Sequence, residues 1–233
     1  MAVQVGASGR THVGLVRRRN EDSLYVGESL FVVADGMGGH VAGDVASSTA
    51  IDILRPYDEC VDPARLSDTL GQAIGAVNNA LRQKAQAEPR VAGMGTTLVA
   101  MLRSGTAAAV ANVGDSRVYL RRGGTTLQIT EDHTYEHLVA EACHVPNLGE
   151  KLSRFLDGRV DGRSPDISAW DLQAGDRFLL CSDGLSSFVP HAAIHAALDS
   201  AVTTTDAAAD VLIALAVESG GKDNVTVIVV DVR

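Results

Sequence analysis

The chain has 233 residues and a formal net charge of −9. No stretch of Lys and Arg alternates with aromatic residues, which argues against a surface for nucleic acid or anionic membranes, and the short run at residues 17–19 does not reverse this. No apolar run approaches the roughly 20 residues that span a bilayer, and the N-terminal segment does not have the pattern of a signal peptide. The three cysteines, without CxxC spacing, predict reduced thiols in a cytoplasmic protein: Cys60, Cys143 and Cys181.

The first half of the chain predicts two strands followed by two helices. Residues 23–26 and 29–35 look like strands, and residues 41–57 predict a helix that Pro56 stops. A second helix is predicted over 62–89, with Asp62 as its N-cap and Pro63 at its first position. Its apolar residues recur at helical spacing: Leu66, Leu70, Ile74, Val77 and Leu81.

The second half predicts mainly strands, with two helices near the end. Residues 96–130 break into short apolar runs separated by turns, which predicts an antiparallel meander. Residues 133–142 suggest a helix, whereas 143–165 give mixed signals. A strand at 176–185, helices at 190–200 and 206–221, and a strand at 224–232 follow. Strands and helices come in blocks, which favours antiparallel sheets covered by helices, and no linker divides residues 1–233, which predicts a single domain.

Acidic residues beside glycines recur at the ends of the predicted strands. Asp35 and Asp183 each follow an apolar run and precede a glycine, and the others are Glu21, Asp22, Asp115 and Asp223. Carboxylates that meet at close range repel one another unless cations lie between them. Oxygen ligands without Cys or His spacing select Mg²⁺, Mn²⁺ or Ca²⁺, and two such ions can activate a bridging water for phosphate-ester hydrolysis.

Each of these features also has a simpler interpretation. A single Asp-Gly pair is most often a turn, and residues 36–43 could form a phosphate-binding loop, although they fit neither GxGxxG nor GxxxxGK[ST]. His40 is either a cap for the following helix or a general acid. Arg17 is either solvated or a bidentate phosphate ligand.

Seven motifs in order then identify a resemblance that runs from about residue 6 to residue 232. They are GLVRRRNEDS, VVADGMGGHVAGDVAS, GMGTTLVAM, ANVGDSRVYL, LQITEDHT, LLCSDGL and GGKDNVTVIVV. Together they resemble the bacterial metal-dependent protein serine/threonine phosphatases of type 2C. The resemblance implies an α+β fold, a four-layer α-β-β-α sandwich with two central antiparallel sheets flanked by helices and the metals at one end.

The resemblance also implies roles for particular residues and two to three Mn²⁺ or Mg²⁺ ions. Asp35 would bridge two metals, with Asp183, Asp223 and the Gly36 carbonyl completing the site. Asp22 would act mostly through metal-bound water beside Glu21, and Asp115 would hold a third, weaker ion. Arg17 matches the phosphate-binding arginine and His40 the histidine that would protonate the leaving oxygen. The implied reaction is direct attack of a metal-bridging hydroxide on phosphoserine or phosphothreonine.

The sequence departs from the family pattern in the flap, at about residues 135–165, which puts substrate selection and the contact with the third metal in doubt. The main hypothesis is a monomeric, cytoplasmic phosphatase whose substrates are phosphoproteins, including a cognate bacterial serine/threonine kinase. The alternatives are a catalytically silent phosphoprotein-binding module and a dinuclear phosphohydrolase for small phosphoesters. Intact carboxylates argue against the first alternative, and the order of the motifs argues against the second.

Overall fold

The computed structural model describes residues 3–38, 42–138, 151–159, 164–199 and 204–233. In this part of the chain the strands form two antiparallel sheets. The strands are β1 (Val5–His12), β2 (Asp22–Val26), β3 (Leu30–Met37), β4 (Gly95–Thr96), β5 (Leu98–Ser104), β6 (Ala107–Val113), β7 (Arg117–Arg122), β8 (Thr125–Gln128), β9 (Asp166–Asp171), β10 (Arg177–Cys181) and β11 (Val225–Val232).

The two sheets pack face to face around an apolar core. One sheet has the order β1-β11-β10-β7-β8, and the other has the order β2-β3-β5-β6-β9, with β4 paired to β3. Alternating residues on the inner faces, such as Phe31, Phe178 and Ile228, are almost completely buried between the sheets. This is the arrangement expected when strands place side chains on opposite faces with a period of two.

Helices cover the outer face of each sheet. The α-helices are α1 (Ala42–Leu54), α2 (Leu66–Ala87), α3 (Tyr135–Leu138), α4 (Asp183–Ser186), α5 (His191–Asp199) and α6 (Thr205–Glu218). Helices α1 and α2 pack on the β2–β9 sheet, and α5 and α6 pack on the β1–β8 sheet. The predicted α-β-β-α sandwich is therefore confirmed. Within the described ranges, no helix is both long and apolar enough to cross a membrane.

Several element predictions need correction. Asp62 does act as a cap, accepting a hydrogen bond from the Ala64 N–H, but Pro63 opens a 3₁₀ turn and α2 itself begins at Leu66. The predicted meander is wrong, because β5 and β6 lie in one sheet whereas β7 and β8 lie in the other. The strand predicted over 176–185 ends at Cys181, and Asp183 begins helix α4.

Strands β1 and β9 were not predicted from the sequence. Strand β1 is rich in small and polar residues, and β9 alternates weakly, so neither has a strong local pattern. Their partners supply the stability: β1 pairs along its whole length with β11, and β9 pairs with β6. Long-range pairing of this kind cannot be read from a local window of sequence.

The sheet register brings the acidic residues to one end of the sandwich. Asp22 lies directly opposite Asp35 in the β2–β3 pair. Strand β10 ends at Cys181 where its partner β11 has just begun at Val225, so Asp183 and Asp223 flank the same end of that pair. Asp115 follows the end of β6.

Candidate metal-binding active site

An open acidic cleft lies at this end of the sandwich, with a volume of about 300 Å³. Its described lining combines residues from both sheets and from the loops between them: Arg17, Glu21, Asp35, Gly36, Met37, Gly38, Thr97, Asp115, Leu152, Asp183, Asp223 and Asn224. The fold therefore brings together acidic residues that are up to 202 positions apart in the chain, from Glu21 to Asp223, and one arginine lies among them.

Asp22 is held beneath this cleft with one oxygen satisfied and one not. Its side chain is buried, and Oδ2 accepts a hydrogen bond of 2.8 Å from the Ser182 hydroxyl. Oδ1 is buried without a hydrogen-bond partner among the described residues. Burial raises the pKa of Asp22 to about 7, although its hydrogen bonds to Thr226 and Ser182 work in the other direction. A buried oxygen without a partner is expensive unless a ligand satisfies it.

Asp35 lies at the centre of the carboxylates. Desolvation raises the pKa of Asp35 well above its usual value, and repulsion from Asp22, Asp183, Asp115 and Asp223 adds to the shift. The pKa of Asp183 is raised too, mainly by burial and next by Asp223, although a hydrogen bond with the Asp35 side chain works in the other direction. Two carboxylates can share such a bond only when one carries a proton or when a cation replaces that proton.

The backbone of Asp35 is fixed by two neighbouring threonines. Its N–H donates to Thr97 Oγ1 (3.2 Å), and its carbonyl accepts from the Thr97 N–H (2.8 Å) and from Thr96 Oγ1 (2.9 Å). Thr97 Oγ1 also bonds to the Ser116 hydroxyl at 2.8 Å. These bonds fix the position of the central aspartate. The two threonines are not among the site residues predicted from the sequence, although they follow directly after glycine in GMGTT.

Asn224 joins the two chain segments that carry Glu21 and Asp223. Its Oδ1 accepts from the Glu21 N–H (2.8 Å), and its Nδ2 donates to the carbonyls of Val13 (2.9 Å) and Arg19 (2.8 Å). Its own N–H donates to Asp223 Oδ1 at 2.8 Å. Sequence reasoning missed this residue. The available signal was an amide side chain beside Asp223 in KDN, in a position able to cap a loop.

Arg17 lies at the mouth of the cleft and contacts a carboxylate. Its Nη2 donates to Asp223 Oδ2 at 2.6 Å, and the pKa of Arg17 is raised chiefly by this bond. The Arg17 side chain is 54% exposed, whereas that of Asp223 is 25% exposed. An exposed guanidinium can exchange one anionic partner for another at a small cost in free energy.

Gly36 has a packing reason to be glycine. A Cβ at this position would overlap the Gly43 carbonyl in the first turn of α1 and would approach the Glu21 carbonyl to 2.7 Å. The Glu21 carbonyl already accepts hydrogen bonds from the Gly36 N–H (3.1 Å) and the Ser47 hydroxyl (2.6 Å). The family resemblance implies that the Gly36 carbonyl approaches an ion. The structure adds that β3, α1 and residue 21 can meet only if no side chain lies between them.

Asp115 lies on the boundary between this cleft and a second cavity of about 470 Å³. Burial raises the pKa of Asp115 to about 7, and repulsion from Asp183 and Asp132 contributes. The residue before it, Gly114, has φ = 118°, and a Cβ there would come within 2.6 Å of Thr97 Cβ. The chain turns sharply at this glycine and presents Asp115 to the cleft.

Part of the predicted site lies outside the described residues. This part comprises His40 and most of the predicted flap. Of the flap, residues 151–159 run beside the site, with isolated bridges from Leu152 to Thr134 and from Leu156 to Thr96. Leu152 contributes to the lining of the cleft.

The donor set suits hard divalent cations. It consists of carboxylate and backbone oxygens, it includes the unpartnered Oδ1 of Asp22, and its carboxylates mutually raise their pKa values. As they stand, no three His, Cys, Asp or Glu side chains among the described residues are arranged to hold an ion. Asp223 instead contacts Arg17, Asp22 contacts Ser182, and Asp183 bonds to Asp35. The chemistry of the site fits the ions, and these side chains would exchange such contacts for metal bonds.

The amino-acid sequence of the chain matches a known protein family. A family model described as protein phosphatase 2C matches residues 16–216. The chain is 40% identical over 232 residues to the serine/threonine protein phosphatase PstP of Mycobacterium tuberculosis, which covers 97% of this chain and 44% of that protein. It is 36% identical over 243 residues to the serine/threonine phosphatase stp of Listeria innocua, covering 97% of this chain and 95% of that protein.

Solved structures of related proteins have the same fold. A crystal structure of the catalytic domain of PstP in complex with two manganese ions has a TM-score of 0.90 and 40% identity, covering 100% of this chain and 99% of that chain. The chain belongs to the protein phosphatase 2C family. It spans less than half the length of the PstP protein and nearly all of the Listeria protein.

Proposed function

We propose that this chain is a metal-dependent protein phosphatase that hydrolyses phosphoserine and phosphothreonine on proteins. The observation that carries the proposal is the convergence of Asp22, Asp35, Asp115, Asp183 and Asp223 around one cleft with Arg17 at its mouth. The match to the protein phosphatase 2C model and the names of the relatives support the same reaction.

The proposed ligands divide into a core and a periphery. Asp35, the central carboxylate, would contact two ions, with Asp183, Asp223 and the Gly36 carbonyl as further ligands. Asp22 would help to hold the ions from its buried position, with Glu21 beside it in the lining of the cleft. Asp115 would hold a third, weaker ion. When bound, Mn²⁺ or Mg²⁺ would activate water for attack on phosphorus and neutralise the charge that develops on the phosphoryl oxygens.

The chain's own residues would bind and orient the phosphate. Arg17 is long, exposed and adjacent to Asp223, so it would move its guanidinium from that carboxylate to the phosphoryl oxygens. Asn224, Thr96 and Thr97 would keep the flanking backbone rigid through the hydrogen bonds described above. A rigid frame limits the reorganisation needed at the moment of reaction. Donation of a proton to the leaving oxygen by His40 stays a prediction.

The proposal also covers the biological setting. We propose a monomeric single domain that acts in the cytoplasm on phosphoproteins, among them a serine/threonine kinase whose activity it opposes. The net charge of −9 supports a protein rather than a nucleic-acid partner, and Cys60 and Cys181 are both free thiols.

Phosphate release from a phosphothreonine peptide tests this function. The protein is stripped of metal, then assayed with Mn²⁺ or Mg²⁺ beside an Asp223→Ala variant. Activity that requires added metal and is lost in the variant is the expected result. Metal binding without release from the peptide or from an aryl phosphate would overturn the proposal and favour a phosphoprotein-binding module. Release from the aryl phosphate alone would favour a phosphohydrolase for small phosphoesters.

A further inference from the structure

A buried histidine outside the cleft bonds directly to the loop that carries Asp115. His133 is 6% exposed, and its Nδ1 accepts a hydrogen bond of 3.1 Å from the Gly114 N–H. A backbone N–H can only donate, so Nδ1 is the acceptor and the ring proton lies on Nε2. Nε2 then donates to Asp166 Oδ2 at 2.9 Å.

The other side of this contact is held by residues of the flap and by Asp166, which follows it. Arg154 Nη1 donates to Asp166 Oδ1 at 2.6 Å and to the Ser164 carbonyl at 3.1 Å. The His133 carbonyl accepts from the Ser153 N–H at 2.8 Å. Three side chains therefore form a continuous chain of hydrogen bonds, from Arg154 through Asp166 and His133 to Gly114.

Gly114 is held on both of its polar atoms. Its N–H donates to the His133 ring, while its carbonyl accepts from the His133 N–H (2.9 Å) and from Asn112 Nδ2 (3.3 Å). The left-handed φ of Gly114 and its close packing against Thr97 leave this peptide little room to move. The next residue along the chain is Asp115. A change in the orientation of the Gly114 peptide would therefore move the Asp115 carboxylate within the cleft.

We propose that His133 is a positioning residue, which through its Nδ1 bond to Gly114 fixes Asp115 for binding of the third, weaker ion, with Asp166 and Arg154 holding the ring. The inference rests on the proposed function, since it assumes that Asp115 is a ligand. Partners of this kind typically contribute about 10–100-fold to metal affinity or activity when they orient a ligand. Because Arg154 lies in residues 151–159 of the flap, these hydrogen bonds also connect the flap to the loop that carries Gly114 and Asp115.

Two substitutions test the two hydrogen bonds of the His133 ring separately, because each replaces one ring nitrogen with an amide atom in a similar position. In His133→Asn, the amide Oδ1 takes the place of Nδ1 and keeps an acceptor for Gly114, while the contact with Asp166 is lost. In His133→Gln, the longer amide reaches Asp166 but leaves the Gly114 N–H without its acceptor. Isothermal titration with Mn²⁺ reports the tight and weak ions separately, and thermal unfolding reports the fold.

We expect His133→Gln to lower the affinity for the weakly bound ion about 10–100-fold and to leave the affinity for the tightly bound ions unchanged. The affinities of His133→Asn should stay close to those of wild type. Loss of the weak ion in a folded Asn variant, or its full retention in a folded Gln variant, would overturn the proposal. If the Gln variant does not fold, His133→Ala, which also removes the acceptor for the Gly114 N–H, takes its place with the same expected loss and the same overturning result. Asp115→Ala is the reference: if it does not affect the weak ion, Asp115 is not a ligand, and the proposed ligand set is at fault rather than the role of His133.

Discussion

The two ends of the β10–β11 pair treat their carboxylates in opposite ways. At one end, Arg177 donates to both oxygens of Asp231, at 2.6 and 2.9 Å, and the two side chains are only 8% and 14% exposed. The adjacent Asp176 is bound by Arg122 in the same bidentate manner, at 2.7 and 2.6 Å. At the other end, Asp183 and Asp223 face a cleft whose described lining contains one guanidinium for several carboxylates.

This difference shows which carboxylates the fold satisfies by itself. We call the end with Arg122 and Arg177 the arginine end and the end with Asp183 and Asp223 the cleft end. At the arginine end, each aspartate contacts an arginine in bidentate geometry, as buried ionic groups normally require. The cleft end instead raises the pKa values of Asp22, Asp35, Asp115 and Asp183 through burial and mutual repulsion. Such an arrangement costs stability, and bound cations would offset that cost. Function, rather than folding, explains the cleft end.

The largest effect is expected from the central carboxylate. Asp35→Asn keeps the shape and the backbone bonds to Thr96 and Thr97 but removes the charge between the proposed ions. We expect phosphate release to fall by about 10³-fold or more, the upper range seen when one group that stabilises a transition state is removed. Thermal unfolding should show no loss of stability in the metal-free variant. A variant that retains wild-type activity would contradict the two-metal account.

At the arginine end, the same kind of change should act on stability instead. Asp231→Ala removes the carboxylate that neutralises the buried Arg177 guanidinium, although the bond from Arg177 Nη1 to the Leu198 carbonyl (3.3 Å) stays. Removing one member of a buried ion pair typically destabilises a protein by about 3–5 kcal/mol. Chemical denaturation measures this loss, and activity per folded molecule should stay at the wild-type level. Unchanged stability would show that the two ends do not differ in the way proposed.

The metal-free protein should lose stability as pH rises. The pKa of Asp22 is raised from 3.8 to about 7, so the folded state holds a proton that the unfolded state releases between these pH values. The stability linked to this proton is fully present below about pH 4, declines as pH rises and is lost above about pH 7, a total of roughly 4 kcal/mol. Denaturation in chelator from pH 4 to 8 measures this trend.

Asp22→Asn is the control for this pH dependence, because its amide has no proton to lose. The difference in stability between wild type and variant should become less favourable to wild type as pH rises from 4 to 7. A difference that is flat over this range would contradict the assignment of the raised pKa to Asp22. Asp115, whose pKa is also raised to about 7, contributes to the wild-type slope but cancels in the comparison.

The smallest expected effect concerns Arg17. Its bond to Asp223 competes with any ion that Asp223 binds, and exposed ion pairs contribute only about 0.2–1 kcal/mol. Arg17→Gln should therefore bind Mn²⁺ slightly more tightly, by about 1.5–5-fold, even while phosphate binding weakens. Calorimetric titration with Mn²⁺ measures the change. Weaker Mn²⁺ binding in the variant would mean that Arg17 supports the ions instead of competing with them.

The sequence predicted the charged side chains of the site better than the frame that holds them. Asp35 and Asp183 directly precede glycines at the ends of strong apolar runs, and Asp223 follows two glycines just before such a run, so local patterns indicated these residues. The family resemblance of the ordered motifs implied the sandwich. Asn224 and His133 act through contacts with segments 19 or more residues away, which no local window contains. The sequence also did not predict that β6 and β7 lie in different sheets. A short turn can connect two strands of one sheet or strands of two sheets, and its sequence does not distinguish these cases.

The most direct test is whether bound cations offset the loss of stability that burial and mutual repulsion of the carboxylates cause at the cleft end. The free energy of unfolding at pH 8 would be measured for metal-free wild type and Asp35→Asn, with and without added Mn²⁺. We predict that wild type is the less stable of the two without metal, and that Mn²⁺ stabilises wild type far more than the variant. Equal stabilisation of both proteins, or none of either, would contradict the claim that the converging carboxylates form a metal site.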